Sequence, residues 1–424
     1  MPPRQLLILA GGLGSRLKSE LGGLPKPMAD VCGKPLLQRQ IEVAARDGFS
    51  EILLLISYRA DVIQDFFGDG SSLGVKIEYS VDERPLGTAG AVLAARHLLR
   101  DRFTVCYGDT LFDLDIDKMW QAHTKTGAAV TLFLHPNDHP QDSDLVELDG
   151  TGRVIAFHAY PHSPELLVRN RVNAAFYIME KSALAAYPAT PEKRDFGKDL
   201  FPDMIRHREQ IHGYESREYI KDMGTPKRLE KVRADFAAGR VAARNSSIPC
   251  PAVFLDRDGT LNVENGWINS PSQIELLPGS GEALKQINRS GFLAVLVTNQ
   301  PVIARGECTE QDMERIHARL EMLLGAHDAY LDAIYYCPHH PEAGWPGERA
   351  DLKITCKCRK PEVGLIYQAA TDLNIDLIRS YMIGDSWRDM EAAKKAGLKG
   401  ILVGNTNTGT PQGITLNDIP ELVF

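Results

Sequence analysis

Two carboxylates two residues apart, Asp256 and Asp258, close the apolar run Ala252 to Leu255 and are followed by Gly259 and Thr260. Side chains alternate along a strand, but a chain that leaves the strand at Asp258 brings both acids to one site. One acid can then attack phosphorus while its neighbour handles the proton. Three further stretches supply what such an attack needs. Leu293 to Thr298 ends on a hydroxyl able to hold a phosphate oxygen, Arg359-Lys360-Pro361 offers two cations, and Met382-Ile383-Gly384-Asp385 ends on another acid, with Asp389 beyond it.

A second chemistry is written at the start of the chain. The apolar run Leu6 to Ala10 gives way to Gly11, Gly12 and Gly14, with Arg16 and then Lys26 between two prolines. Glycines let the backbone turn and bring bare N–H groups close to an anion. With the two cations, the stretch suits a nucleoside triphosphate whose charge must be neutralised during transfer. It is neither a dinucleotide fingerprint nor a P-loop. Asp109 in Gly108-Asp109-Thr110 and Asp222 in Asp222-Met223-Gly224-Thr225-Pro226 are acids suited to holding Mg²⁺ on phosphates. A third cluster pairs Cys337-Pro338-His339-His340 with Cys356-Lys357-Cys358, two tight pairs that suit a closed tetrahedral Zn²⁺ site.

These residues need scaffolds. In the first half, helix patterns alternate with strands at 51–57, 75–79 and 103–107. Pro35 is expected at the first position of a helix, and Thr88 as N-cap of a helix over 89–99. Such alternation predicts a mostly parallel sheet covered by helices, with ligands at the carboxyl ends of its strands. A helix over 226–238 ends at Gly239, and the small, polar, proline-ended stretch that follows reads as a linker. The second alternation starts at Ala252. The expected domains are 1–240, a linker 241–250, and 251–424; the class is α/β, with a Rossmann-like first domain and a Rossmannoid second domain without a large cap.

Composition is ordinary for a soluble globular protein. The chain has 424 residues, too many for one typical core, with 43% hydrophobic and 25% charged residues. A net charge of −8 without a long basic run argues against nucleic acid as a partner. No apolar stretch nears the roughly 20 residues that span a bilayer. Seven unevenly spaced cysteines argue against a disulfide framework. A cytoplasmic location is expected, and the sequence leaves a homo-oligomer open.

The glycine-arginine-lysine stretch resembles the signature of sugar-1-phosphate nucleotidyltransferases, and the Gly-Asp-Thr and Asp-Met-Gly-Thr-Pro motifs follow in family order. The resemblance implies phosphate contacts for Arg16 and Lys26, nucleotide contacts along Ala10, Gly11, Gly12, Gly14, Gly87 and Thr88, and a Mg²⁺ pair of Asp109 and Asp222. Asn173 is the residue implied to contact a sugar hydroxyl. Two features depart from the family. The Glu-Lys pair on the sugar is replaced by Ala156-Phe157-His158-Ala159-Tyr160, for which His158, Lys198 and Arg169 are the candidate substitutes, and Ala stands in Val172-Asn173-Ala174-Ala175-Phe176 where glycine is common.

The four motifs of the second half resemble the haloacid dehalogenase superfamily of phosphotransferases. That implies Asp256 as nucleophile, Asp258 as general acid/base, Thr298 and Lys360 on the phosphoryl group, and Mg²⁺ on Asp256, Asp385 and the Asp258 carbonyl. Asp389 is expected to position Asp385 or the lysine. The zinc ligands implied are Cys337, His339, Cys356 and Cys358, and the cluster narrows the resemblance to zinc-containing heptose bisphosphate and histidinol-phosphate phosphatases. Ile303-Ala304-Arg305-Gly306, Pro-His-His-Pro and Gly266-Trp267 favour the former; Pro301-Val302, where Ser-Gly is usual, departs from it. Glu264, Trp267, Asn299, Gln300 and Arg359 are the implied substrate contacts. A phosphatase that leaves a sugar 1-phosphate beside a transferase that consumes one suggests consecutive steps, with GTP as the favoured nucleotide. Another sugar, or a non-catalytic nucleotide-binding first domain, are the alternatives.

Overall fold

The computed structural model describes residues 3–12, 17, 20–82, 84–163, 165–190, 192–404 and 418; Gly14 and Arg16 lie outside them. The chain divides into two compact units, one of Met1–His135, Val146–Ala159 and Asn173–Asn245, the other of Pro136–Leu145, Tyr160–Val172 and Ser246–Phe424.

The first unit is built on a nine-stranded mixed sheet. Its main path runs Val154–His158, Leu145–Leu148, Val172–Glu180, Arg102–Tyr107, Arg4–Leu9, Phe49–Ile56, Lys76–Val81, and Val130–His135 and Ile211–Glu215 branch from it. Arg4–Leu9 lies parallel to both Phe49–Ile56 and Arg102–Tyr107, whereas Val172–Glu180 pairs antiparallel with Arg102–Tyr107. The continuous apolar runs are explained by burial on both faces. Leu7, Leu53, Leu55 and Val105 enter one core, and Leu6, Ile8, Ile52 and Leu54 enter the other.

The second unit carries a five-stranded parallel sheet in the order Ala333–Cys337, Leu293–Asn299, Ala252–Leu255, Tyr381–Gly384, Lys399–Leu402. Its middle strand is the one that ends at Asp256. The strands on either side end at Thr298-Asn299 and Gly384, so three motifs far apart in sequence meet at one sheet edge. Between Asp256 and the helix Ser280–Ser290 there is only a 3-10 turn, Pro271–Gln273, and no inserted cap.

Local details differ from the sequence expectations. Pro35 sits at the N-cap of the helix Leu36–Arg46, in a short strand with Lys34, and not inside the helix. The helix expected over 89–99 is Gly87–Ala94 followed by a 3-10 turn, with Leu86 at its N-cap. Thr88 is not a cap because tertiary contacts claim its hydroxyl, which accepts from Phe196 N and donates to Asp195 Oδ2, both at 3.0 Å. The stretch read as linker begins with a helical turn, Arg240–Ala243, that buries Val241, and Arg244 and Asn245 are buried after it.

Ala175, in the stretch that carries Ala where glycine is common in the resembling family, has φ +56°. That is the left-handed region, which costs an L-residue about 1–2 kcal/mol relative to glycine. Ala175→Gly is expected to raise the unfolding free energy of the first unit by about 1 kcal/mol once glycine's extra unfolded-state freedom is deducted. Urea denaturation followed by circular dichroism would check it, and a loss of stability would contradict strain at this position.

Candidate active sites

In the second unit the central strand delivers Asp256 to a buried lysine. Lys360 is 2% exposed, and its Nζ lies 2.9 Å from Asp256 Oδ2 and donates to Asp389 Oδ1 at 2.6 Å. Burial opposes charge on Lys360, but the two carboxylates hold its ammonium above its ordinary pKa. Asp389 is wholly buried and its other oxygen accepts from Ser386 N and Oγ at 3.1 and 2.6 Å. It is thus occupied on both sides by neighbours. Asn299 clips the lysine backbone, donating to Lys360 O at 3.0 Å and accepting from Lys360 N at 2.9 Å.

Asp258 is turned the other way. Arg257, fully buried, forks onto it through Nε and Nη2, both at 2.9 Å, and Asn262 and Gln300 donate at 3.0 Å each. Burial alone would raise this carboxyl, but Arg257, Asn262 and Gln300 hold it below the usual range. Gln300 also donates to Thr298 Oγ1 at 2.9 Å and accepts from Arg257 at 2.7 Å. Asn299 and Gln300, expected as substrate contacts, therefore spend their amides inside the site, positioning Lys360, Thr298 and Asp258. Among the described residues, Asp385 has no such neutralising partner. Burial, then Asp256, Asp389 and Glu264, push it up to about 7.

Carboxylate oxygens of Asp256, Asp385 and Asp389 lie within 4.8 Å of one another. These are hard oxygen donors with unneutralised charge at Asp385, a set that suits a divalent cation such as Mg²⁺. Among the described residues, Asp258 contributes no side-chain oxygen to the group. Gly259 is required here: its φ is +73°, and a Cβ on it would meet Asp385 Oδ2 at 2.0 Å.

Beside this site the two cysteine-bearing pairs converge. Cys358 Sγ lies 3.3 Å from Cys337 Sγ, 3.2 Å from Cys356 Sγ and 3.2 Å from His339 Nδ1. Cys337 is also 3.6 Å from both His339 Nδ1 and Cys356 Sγ. These separations are far longer than a disulfide and suit ligands closing on one tetrahedral Zn²⁺. His340 faces away and accepts from Glu342 N at 3.2 Å. Arg359, next to Cys358, donates to His339 O at 3.3 Å, and Trp267 stands half exposed above Arg305.

In the first unit, Gly108 N donates to Leu9 O at 2.9 Å, drawing the end of Arg102–Tyr107 against Ala10. Thr110–Asp113 pairs antiparallel with Tyr219–Asp222, Thr110 opposite Asp222, and Met223 N donates to Asp109 O at 2.9 Å. Asp109 and Asp222 thus come to one end of the sheet. Lys26 Nζ pairs with Asp109 Oδ2. Asp222 accepts from Arg228 at 2.9 Å and from Gly224 N at 2.9 Å. Burial would raise Asp222, but Arg228, the Gly224 amide and Lys26 hold it low. The Gly87 turn is set by the 194–196 segment: its φ is +76°, and a Cβ there would meet Arg194 O at 2.3 Å. A Cβ on Gly11 would press Ser57 Cβ at 3.2 Å, while Gly12 faces open space. Asn173 donates to Tyr177 Oη at 3.1 Å.

Of the candidates for the absent sugar-site cation, Arg169 is committed elsewhere. In the second unit it pairs with Glu321 at 2.8 Å and with Glu314 at 3.1 Å. His158 pairs with Glu147 at 3.3 Å, and Lys198 is exposed.

Residues 5–239 match the family model described as nucleotidyl transferase, and residues 357–424 match one described as HAD-hydrolase-like. The D-glycero-beta-D-manno-heptose-1,7-bisphosphate 7-phosphatase of Haemophilus ducreyi is 42% identical over 179 residues, 41% of this chain and 96% of the relative. The chain belongs to the nucleotidyl transferases through its first half and to the HAD-like phosphatases through its second. The Escherichia coli K12 enzyme of the same phosphatase name is 42% identical over 148 residues, 35% of this chain and 75% of the relative. Among solved structures, HddC from Yersinia pseudotuberculosis aligns with a TM-score of 0.48 and 29% identity over 55% of this chain and 99% of that one.

The main residue that sequence reading missed in this HAD-like phosphatase is Arg257. A residue between two strand-end acids would be expected to point away from them; instead its long side chain curls back onto Asp258. The signal was the residue type itself, since a charge on a buried strand end must be paired. Gly259→Ala is expected to lower phosphate release by about 100-fold or more, because displacing Asp385 by an ångström misplaces the reacting groups. Hydrolysis of p-nitrophenyl phosphate measures it; near-normal turnover would show that the close approach of Gly259 to Asp385 does not matter.

Proposed function

We propose that the chain is a bifunctional enzyme of nucleotide-activated heptose synthesis, with a transferase domain at 1–240, a linker at 241–250 and a phosphatase domain at 251–424. The phosphatase takes the 7-phosphate from D-glycero-D-manno-heptose 1,7-bisphosphate. The transferase then joins a nucleotidyl group, GMP from GTP, to the heptose 1-phosphate and releases pyrophosphate. The observation that carries the reading is the convergence of Asp256, Thr298, Lys360 and Asp385 at the carboxyl ends of the strands of the second unit; in the first unit, taken by itself, Lys26 meets Asp109 near Asp222.

In the phosphatase, Asp256 Oδ attacks phosphorus and Asp258 gives a proton to the departing sugar oxygen. The aspartyl-phosphate is then hydrolysed by water, whose proton Asp258 takes. Thr298 and Lys360 hold the phosphoryl oxygens, and Asp389 keeps the Lys360 ammonium aimed at Asp256. Mg²⁺ bound by Asp256, Asp385 and the Asp258 carbonyl would supply charge neutralisation on the phosphoryl group. Cys337, His339, Cys356 and Cys358 would hold a structural Zn²⁺, which would fix the residues that lead into Arg359 and Lys360. In the transferase the sugar phosphate oxygen attacks the α-phosphorus of the triphosphate. Lys26 and Arg16 neutralise charge there, and Asp109 and Asp222 would hold Mg²⁺. Ala10, Gly11, Gly12, Gly14, Gly87 and Thr88 line the nucleotide, and Asn173 meets the sugar. The reaction is placed in the cytoplasm, where nucleoside triphosphates are available.

The direct test supplies heptose 1,7-bisphosphate, GTP and Mg²⁺ and follows phosphate and pyrophosphate separately. Both should appear. Asp256→Asn is expected to abolish phosphate release, while pyrophosphate release from supplied heptose 1-phosphate continues. No pyrophosphate with any nucleoside triphosphate would sink the transferase assignment, and parallel loss of both activities would contradict independent sites.

Mg²⁺ affinity of the phosphatase should depend on pH. Asp385 is raised to about 7, so below that pH it is protonated and the ion must displace the proton. Apparent Mg²⁺ affinity should therefore climb as pH rises through about 7, with proton release on binding. Calorimetric titration in two buffers of different ionisation enthalpy reads this directly, and a pH-independent affinity would rule it out.

A further inference from the structure

The helix Glu310–Gly325 of the second unit is held on its two sides in different ways. Its inner side, with Met313, Ile316, Leu320 and Leu324, packs into the apolar core. His317 is buried with them, and neither of its ring nitrogens has a hydrogen-bond partner. Apolar contact is non-directional, so it sets how deep the helix sits more firmly than where it lies along its axis. This inner side nevertheless reaches the phosphatase centre. Met313 Sδ lies 3.5 Å from Arg257 Nη1, and the other nitrogens of Arg257 hold Asp258 and Gln300.

The other side is pinned by charge. Arg169 forks onto Glu321, with Nε 2.8 Å from Oε2 and Nη2 3.2 Å from Oε1, and its Nη1 reaches Glu314 Oε2 at 3.1 Å. Asn170 N also donates to Glu321 Oε2 at 2.8 Å, and Arg171 lies 3.6 Å from Glu314. Behind them, Asn170 Nδ2 donates to Asn137 O at 2.8 Å and Asn137 N donates to Asn170 Oδ1 at 3.3 Å. At the end of the helix Pro140 packs so closely that a Cβ on Gly325 would meet its Cγ at 2.8 Å. Glu321 is only 4% exposed, so its bonds are shielded from water, and a forked charged pair fixes direction as well as distance. Glu314 adjoins Met313, so this clamp closes one residue from the contact with Arg257. The clamping residues 137–140 and 169–171 fall inside the 5–239 stretch matched by the nucleotidyl transferase model, yet they belong to the second compact unit. A piece of the chain's first half is thus built into the phosphatase unit.

We propose that Arg169 is a positioning residue for the phosphatase: by fixing the helix Glu310–Gly325 it keeps Arg257, and through Arg257 the Asp258 carboxyl, aligned on the departing oxygen. The inference rests on the phosphatase reading above and adds to it a residue from outside the 251–424 stretch. As Asp256 Oδ bonds to phosphorus, the bond from phosphorus to the sugar oxygen breaks and Asp258 gives that oxygen its proton. The transfer needs hydrogen-bond reach, and an ångström of displacement is enough to slow it. Without Arg169 the buried Glu321 carboxylate loses its counter-charge, and the helix can slide along its apolar seat. Arg257 then loses its support at Met313 and Asp258 its alignment, while Asp256 and Lys360 keep the partners that hold them.

The test measures kcat/KM, which reads formation of the aspartyl-phosphate, on the full chain with Mg²⁺ and two substrates. The sugar oxygen of heptose 1,7-bisphosphate must be protonated as it leaves, whereas the phenolate of p-nitrophenyl phosphate leaves unprotonated. Arg169→Met should lower kcat/KM for the bisphosphate by about 10-fold, a part of what a general acid contributes, and that for p-nitrophenyl phosphate by less than about 2-fold. Arg169→Lys should recover only part of the loss, because an ammonium cannot fork onto a carboxylate. Since Arg169→Met leaves a buried carboxylate unpaired, Arg169→Met with Glu321→Gln is the second variant. It removes both charges, keeps an acceptor for Asn170 N, and should show the same split between substrates; it decides the matter where circular dichroism finds the single variant unfolded. A ratio of the two kcat/KM values unchanged from wild type, through equal losses or through no loss, overturns the positioning role alone. A wild type inactive on heptose 1,7-bisphosphate overturns the phosphatase reading as well.

Discussion

A lysine ammonium held against strand-end carboxylates is the interaction on which both sites depend. In the second unit Lys360 sits between Asp256 and Asp389 with almost no exposure. In the first unit Lys26 pairs with Asp109 and its charge also reaches Asp222. Carboxylates gathered at a sheet edge repel one another, and burial raises the cost of their charge. Each lysine lowers that cost.

What surrounds the pairs follows from the need to leave no buried polar group unmet. Asn299 holds the backbone of Lys360, Ser386 holds the far oxygen of Asp389, and Gln300 joins Thr298 to Asp258. Arg257 takes the charge of Asp258 from beneath. Two acids two residues apart therefore lie in different electrostatic surroundings, one against a lysine and one against an arginine. Burial raises Asp256, whereas Arg257, Asn262 and Gln300 hold Asp258 low. Asp385 is left with like charges around it and a raised pKa, the condition that a divalent cation relieves.

Glycine enters the argument only where atoms crowd. Gly259 admits the Asp385 carboxylate and Gly87 admits the Arg194 carbonyl, each at a distance no Cβ could tolerate. Ala175 shows the converse, an L-residue held at positive φ near the start of the strand Val172–Glu180. There the surrounding sheet dictates the backbone and the side chain accepts the strain.

The sequence by itself determined the chemistry types and the α/β class, because apolar runs with acids, glycines and cations at their ends have few other uses. The Gly108-Asp109-Thr110 and Asp222 to Pro226 stretches, the Asp256 and Asp258 pair, and the Cys337–His339 and Cys356–Cys358 pairs were each legible as a short run. Only the tertiary structure decided which polar side chains are spent internally. Thr88 ties down the 195–196 segment, Asn299 and Gln300 serve their neighbours, Arg169 pairs with Glu314 and Glu321, and Arg257 turns back onto Asp258. Arg305, a sequence marker at first, emerged as a buried guanidinium between two indoles. The reason is the same in each case: a residue's type states which bonds it can make, but the partner that satisfies it comes from a distant part of the chain and is set by packing.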